Sequence, residues 1–208
     1  LVNQPINSKA MPRPSNKEKR KLQIVEALMK VMATSGYAGA TIPLIAKQAG
    51  LTAGLVHYHF ENKQSILLAL VHHLLSSAEI KPPENADPIS KLSHFIEAHL
   101  AIGPKSNREA VACWINIGAE ATHQEEVRLA YQQATEYQLS VLESIIEEAL
   151  RSTNRSTQNI RGIALGILAA IEGCYRLLIS APELIPSGFA APTVRTMALG
   201  LLSAEPEA

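Results

Sequence analysis

The stretch TIPLIAKQAGLTAGLVHYHFENK (Thr41–Lys63) decides the fold. Thr41 is a helix-capping residue, and Pro43 falls in the first turn, where a missing N–H costs nothing. The helix runs through Leu44, Ile45, Ala46 and Ala49 and stops at Gly50, which supplies a positive φ. After Leu51, Thr52 caps a second short helix through Ala53, Gly54, Leu55, Val56, His57 and Tyr58. Two short helices joined by a glycine-containing turn fit a helix-turn-helix, whose second helix enters a DNA major groove. Ala46 and Leu55 suit the crossing of the two helices. Ala53, Gly54, His57 and Tyr58 fall on the exposed side, with Val56 and Phe60 inside. Core packing is the competing reading for Tyr58.

On the N-terminal side, Ser15 and Glu18 fit the S-x-x-E capping box, with Asn16 as an alternative cap. Leu22, Val25, Leu28, Met29 and Met32 recur at helical spacing, and Gly36 supplies the left-handed stop. Lys17, Lys19, Arg20 and Lys21 crowd the helix start, where the dipole disfavours them, so they serve something other than helix stability. On the C-terminal side, Asn62 opens a helix from Lys63 to about Glu79, and Lys81-Pro82-Pro83 breaks the chain. Further helices are predicted from Asp87-Pro88 to Ile102 (closed by Gly103-Pro104), Ser106 to Glu120, His123 to Arg151, Thr157 to Ser180 and Pro192 to Ser203. No segment alternates with period two. The predicted class is all-α: an N-terminal three-helix helix-turn-helix domain plus a C-terminal helical bundle, with about nine helices in all, forming a dimer. The predicted division is a disordered arm (1–15), a DNA-binding domain (16–62), a connecting helix (63–80) and an effector-binding and dimerisation domain (81–208).

Charge separates the same two regions. Residues 1–63 hold nine Lys/Arg against three acids, a balance of +6, while residues 64–208 carry −6 and cancel it. A basic part of a neutral chain implies an anionic partner, against the alternative of a solvated tail. No uninterrupted apolar run reaches the roughly 18 residues of a membrane span, so no membrane partner is expected. The polar start, with Pro5, Pro12 and Pro14, does not resemble a signal peptide. Cys113 and Cys174 lie in apolar stretches without a CxxC partner and read as structural thiols. Together these features predict a cytoplasmic protein.

The residues Thr41-Ile42, Ile45-Ala46, Ala49-Gly50-Leu51, Gly54-Leu55-Val56, Tyr58-His59-Phe60 and Asn62-Lys63 resemble the DNA-binding domain of the TetR/AcrR family over residues 20–75. The resemblance implies a ligand-responsive regulator bound to a double-stranded DNA operator. It gives Thr41 and Thr52 hydroxyl contacts to phosphate, Tyr58 and His59 backbone contacts, and Lys63 a phosphate charge. Ala53, Gly54 and His57 would approach base edges. Many relatives carry a polar or basic residue where Ala53 stands, which shifts base reading toward His57, thymine methyls and DNA shape.

The resemblance also implies that the C-terminal helices form a homodimer interface and an effector pocket. Gly162 and Gly166, with Ala164, Ala169 and Ala170, would admit a second helix closely. Val194, Met197, Ala198 and Leu201 add an apolar face, and packing within one chain is the alternative for both. Polar or aromatic side chains among apolar ones nominate Phe95, His99, Cys113, Trp114, Ile117, Glu120, Tyr131, Glu172, Tyr175 and Arg176 for the effector. The run Ile171–Arg176, with Trp114, is similar to choline-responsive betaine-pathway repressors of the BetI type. That likeness implies a small organic effector such as a quaternary ammonium held by cation–π attraction. An internal Glu172–Arg176 pair and a core Trp114 are the bland alternatives.

No metal or other cofactor is expected, since His72-His73 cannot share a helical face and His94 and His99 are five apart. An enzyme is not expected either. The rival reading is a small helical enzyme with a pocket at Cys113, Trp114 and Glu172. Activation rather than repression stays open.

Overall fold

The structure is a computed structural model, which describes residues 15–77, 85–100 and 108–208. The predicted arm (bar its last residue), the Lys81-Pro82-Pro83 break and the Gly103-Pro104 stop lie outside the described residues. Among these residues the chain forms nine α-helices: α1 (Asn16–Gly39), α2 (Ile42–Ala49), α3 (Ala53–His59), α4 (Lys63–Ser77), α5 (Pro88–Leu100), α6 (Arg108–Glu120), α7 (Glu125–Ser152), α8 (Ile160–Ser180) and α9 (Ala190–Ala204). No strand occurs in them.

The local signals act where the sequence puts them. Ser15 Oγ accepts from the Glu18 amide at 3.2 Å, and the Glu18 carboxylate accepts from the Ser15 amide at 2.7 Å. Those bonds hold the Glu18 carboxyl below the usual carboxylate range. Gly36 breaks α1 with φ 65° and ψ 176°, but a further helical turn follows to Gly39. Thr41 and Thr52 each accept from an amide three residues on, at 3.4 and 3.3 Å. Gly50 closes α2 in the left-handed region, at φ 66° and ψ 33°.

Ile24, Leu28, Met32, Ile45, Val56, Ile66, Leu67 and Leu70 are fully buried and weld α1 to α4 into one core. Each such side chain contributes about 1.5–3 kcal/mol of apolar burial. Leu22, expected on that stripe, is exposed: the fully buried face of α1 runs through Ile24, Leu28 and Met32, and Leu22 lies to its side. Gln23 fixes α2 to α1 by donating to the Ala49 carbonyl at 2.6 Å.

In the second region α5, α7, α8 and α9 pack on one another, and α6 sits between α8 and α1. By length and composition α8 is apolar enough to cross a membrane, contrary to the expectation from uninterrupted runs. Charged residues interrupt it, but its mean hydropathy stays high between them. It buries Ile163, Ala164, Ile167, Leu168, Ile171, Cys174 and Tyr175. Its opposite face, with Gly162, Leu165, Gly166, Ala169, Gly173 and Leu177, is exposed. Of the residues expected to meet another helix, Ala164, Val194 and Ala198 are buried within the chain. Met197 and Leu201 stay exposed on α9, beside the α8 face.

Candidate DNA interface and effector cavity

The outer face of α3 carries the expected DNA residues. Thr52, Gly54, His57 and Tyr58 are exposed, while Ala53 and His59 are half-buried. Tyr58 is 74% exposed, which excludes the core reading; Phe60 is buried at 8%. Thr41 and Thr52 use their oxygens as caps, leaving each hydroxyl proton free for a phosphate oxygen. Ala53 packs against the core beneath the helix, so its methyl is only partly available to a base.

Lys63 is placed differently from the other candidates. Its ammonium donates to the Tyr37 carbonyl at 2.8 Å and lies 4.0 Å from the centroid of the Tyr37 ring. Burial lowers the Lys63 pKa, and the Glu120 charge partly offsets this. Glu120 itself accepts from Gln124 at 2.7 Å. Asn116 stands one turn earlier on α6, where a Cβ on Gly36 would lie 3.6 Å from its Oδ1. The end of α6 therefore grips the broken end of α1 next to the helix-turn-helix. Glu120, nominated for the effector, lies at this seam.

The other end of α6 faces a cavity. Leu74, His99, Ala110, Val111, Trp114, Gln138 and Tyr175 enclose about 120 Å³ between α4, α5, α6, α7 and α8. His99 stacks on Phe95 with centroids 4.2 Å apart, and its Nδ1 is 2.8 Å from the Phe95 carbonyl. Burial lowers the His99 pKa. Trp114 stacks on Tyr131 at 4.9 Å and donates its indole N–H to Glu172 at 2.8 Å. Burial raises the Glu172 pKa, and the indole bond partly opposes it.

On the far side of Trp114 lies a second hollow, bordered by Tyr131, Gly118, Thr122, Glu172 and Arg176. Glu172 does not pair with Arg176: no ion pair of either is found among the described residues.

Six of the ten effector candidates thus border the two hollows: His99, Trp114, Tyr131, Glu172, Tyr175 and Arg176. Phe95 backs His99. Cys113 and Ile117 are fully buried in the core because they point from α6 into its packed neighbours. Burial also raises the Cys113 thiol pKa to about 12. Sequence reasoning misses Gln138. Its position four residues after buried Ala134 and four before buried Leu142 is the available signal, a polar side chain on an apolar stripe. No group of three or more metal-ligating side chains occurs among the described residues.

A capped helix-turn-helix seated on an all-helical domain with an internal cavity defines a ligand-sensing DNA-binding regulator. The pattern of bacterial regulatory proteins of the tetR family matches residues 24–70, and that of the BetI-type transcriptional repressor C-terminal domain matches residues 88–203. The chain belongs to the TetR family, with a BetI-type C-terminal domain, and is a ligand-responsive DNA-binding transcriptional repressor of that family. The HTH-type transcriptional regulator BetI of Paraburkholderia xenovorans is 25% identical over 170 residues, covering 79% of this chain and 84% of that protein. A transcriptional regulator from Saccharomonospora viridis, solved in complex with choline, shares the fold. Its TM-score is 0.73 at 21% identity, over 89% of this chain and 96% of that one. FadR from Bacillus subtilis, solved in complex with stearoyl-CoA, shares it at TM-score 0.69 and 21% identity, over 88% and 97%.

Proposed function

We propose that two copies pair through the exposed faces of α8 and α9 and place two α3 helices on a near-palindromic operator. The observation that carries this reading is the pairing of an outward, polar α3 with an apolar, small-residue α8–α9 face that this chain leaves uncovered. A two-fold dimer sets its recognition helices about 34–36 Å apart, one DNA turn. Thr41, Thr52, Tyr58 and His59 hold phosphates, and Lys63 joins them by leaving the Tyr37 carbonyl. Ala53, Gly54 and His57 face base edges, with His57 the main reader. The working division is 16–62 for DNA, 63–80 for the connection and 81–208 for sensing and pairing. The protein acts by binding, not turnover, in the cytoplasm where its DNA lies.

A small effector enters the sensing domain beside Trp114 and favours a spacing of the two α3 helices that no longer fits the operator. It shifts the population by no more than its differential affinity for the two arrangements. The cavity beside Trp114 is lined by Leu74, His99, Ala110, Val111, Gln138 and Tyr175. Choline, held by the Saccharomonospora viridis protein, is small, and the Trp114–Tyr131 stack beside the Glu172 carboxylate offers a quaternary ammonium a surface outside that cavity.

The test is a nuclease footprint of the full-length protein on DNA flanking its own gene. Two protected half-sites one turn apart support the reading. A uniform footprint without preferred sites overturns it.

A further inference from the structure

The cavity and the Glu172 hollow share Trp114 but offer different chemistry. Trp114 has its only donor engaged with Glu172, so it presents carbon to the cavity. His99 Nδ1 faces a carbonyl, which only accepts, so the ring proton sits there. Burial keeps the ring neutral, and Nε2 is then an acceptor. Gln138 Nε2 lies 3.5 Å from that Nε2, and the opposite amide orientation would set two acceptors face to face. This leaves Gln138 Oε1 buried with no hydrogen-bond partner. A buried acceptor without a partner is costly, and proteins keep few of them. The apolar walls of the cavity are Leu74, Ala110 and Val111, and no charged side chain occurs among the described residues of the lining.

We propose that this cavity binds an uncharged, compact, mainly hydrocarbon molecule that brings one hydrogen-bond donor, a hydroxyl or an amide N–H, to Gln138 Oε1. The proposal rests on the reading that an effector enters the sensing domain beside Trp114, places it in the cavity and names its ligand class. The Gln138 oxygen is sealed from solvent, and it reaches a ligand by turning about the terminal amide torsion, whose profile is broad. The bond given up is the long one to His99. A quaternary ammonium has no N–H to donate, and the lining provides no countercharge for its desolvation. A carboxylate would find no cation in the lining to offset its desolvation. The Tyr175 hydroxyl can donate or accept and so fits either end of a ligand hydroxyl.

Trp114 is the only tryptophan and reports the cavity directly. The full-length protein is titrated with cyclohexanol, with cyclohexyl methyl ether (a similar body without a donor) and with choline chloride, following Trp114 fluorescence. The alcohol should saturate and bind about tenfold tighter than the ether, the worth of one hydrogen bond. Choline should not displace it. Gln138→Leu should remove the alcohol–ether difference while the ether binds at least as well as before, and Val111→Phe should abolish binding of both.

Equal binding of alcohol and ether to the unmodified protein overturns the proposal without any variant. So does choline displacing the alcohol, an alcohol–ether ratio unchanged in Gln138→Leu, or no saturable response to cyclohexanol. If the alcohol still binds Val111→Phe unchanged, the cavity itself is wrongly assigned as the sensing site. The footprint on DNA stands or falls separately from all of these.

Discussion

The DNA-binding region and the sensing region are built on opposite plans. Around α2 and α3, the groups that matter lie on the surface and are set by neighbours three or four residues away, as in the Thr41 and Thr52 caps. Around the cavity they lie inside and are set by distant pairs: Trp114 with Glu172 across 58 residues, His99 with Gln138 across 39. The first plan makes a shape that can meet DNA as soon as its helices form. The second makes a space that exists only when five helices have packed. Two helices belong to both: α6, with Ala110, Val111 and Trp114 on the cavity and Asn116 and Glu120 at the α1 seam, and α4, with Leu74 on the cavity and Ile66, Leu67 and Leu70 in the α1–α4 core. Two rigid elements thus run from the cavity to the DNA-binding region.

The largest effect is expected in the core. Ile45→Ala removes a fully buried side chain under the turn and should cost about 2–5 kcal/mol in denaturant unfolding, while Leu44→Ala, on the exposed side, should stay within about 0.5 kcal/mol. Equal losses would mean the two residues share one environment. Next comes pairing. Leu165→Arg on the open face of α8 should give a monomer in sedimentation and lower operator affinity about a hundredfold or more, since each half-site then binds alone. A dimer of unchanged affinity would place the interface elsewhere.

Smaller effects are expected at the DNA-facing surface. Thr52→Ala loses a cap worth about 1 kcal/mol of stability as well as a hydroxyl at the DNA face. Both thermal midpoint and affinity should fall, and a change in stability alone would confine Thr52 to capping. Lys63→Met should weaken binding to all sequences alike and reduce the salt slope by about 0.9 for each phosphate no longer neutralised. A slope that does not change would confine Lys63 to its bond with the Tyr37 carbonyl.

The same contrast explains what can be read from the sequence. Caps, the Gly50 turn and the outward α3 face follow from residues close in the chain, and they stand where predicted, whereas Gly36 takes its positive φ but breaks α1 instead of ending it. Leu22 departs from its expected place because periodicity marks a stripe but not how much of its width is covered. In the sensing region the residue types are right more often than their places. Glu120 lies one helical end away from the cavity, and Cys113 and Ile117 point into the core, since sequence does not say which face of α6 meets which helix. Gln138 is hidden among the glutamines of α7, although its place on an apolar stripe sets it apart. The apolar length of α8 is underrated because Glu172 and Arg176 interrupt it, while its outer face stays uncovered in the single chain.

In the proposed complex, the outward face of α3 holds DNA through phosphates while Ala53, Gly54 and His57 choose the site. Fluorescence anisotropy of labelled DNA from the footprinted region, measured across a series of salt concentrations against a scrambled duplex, tests this directly. Binding should be tight at the site and weaker on the scrambled duplex, with log K falling linearly with log salt by about 0.9 for each phosphate neutralised. Affinity indifferent to both salt and sequence would contradict it.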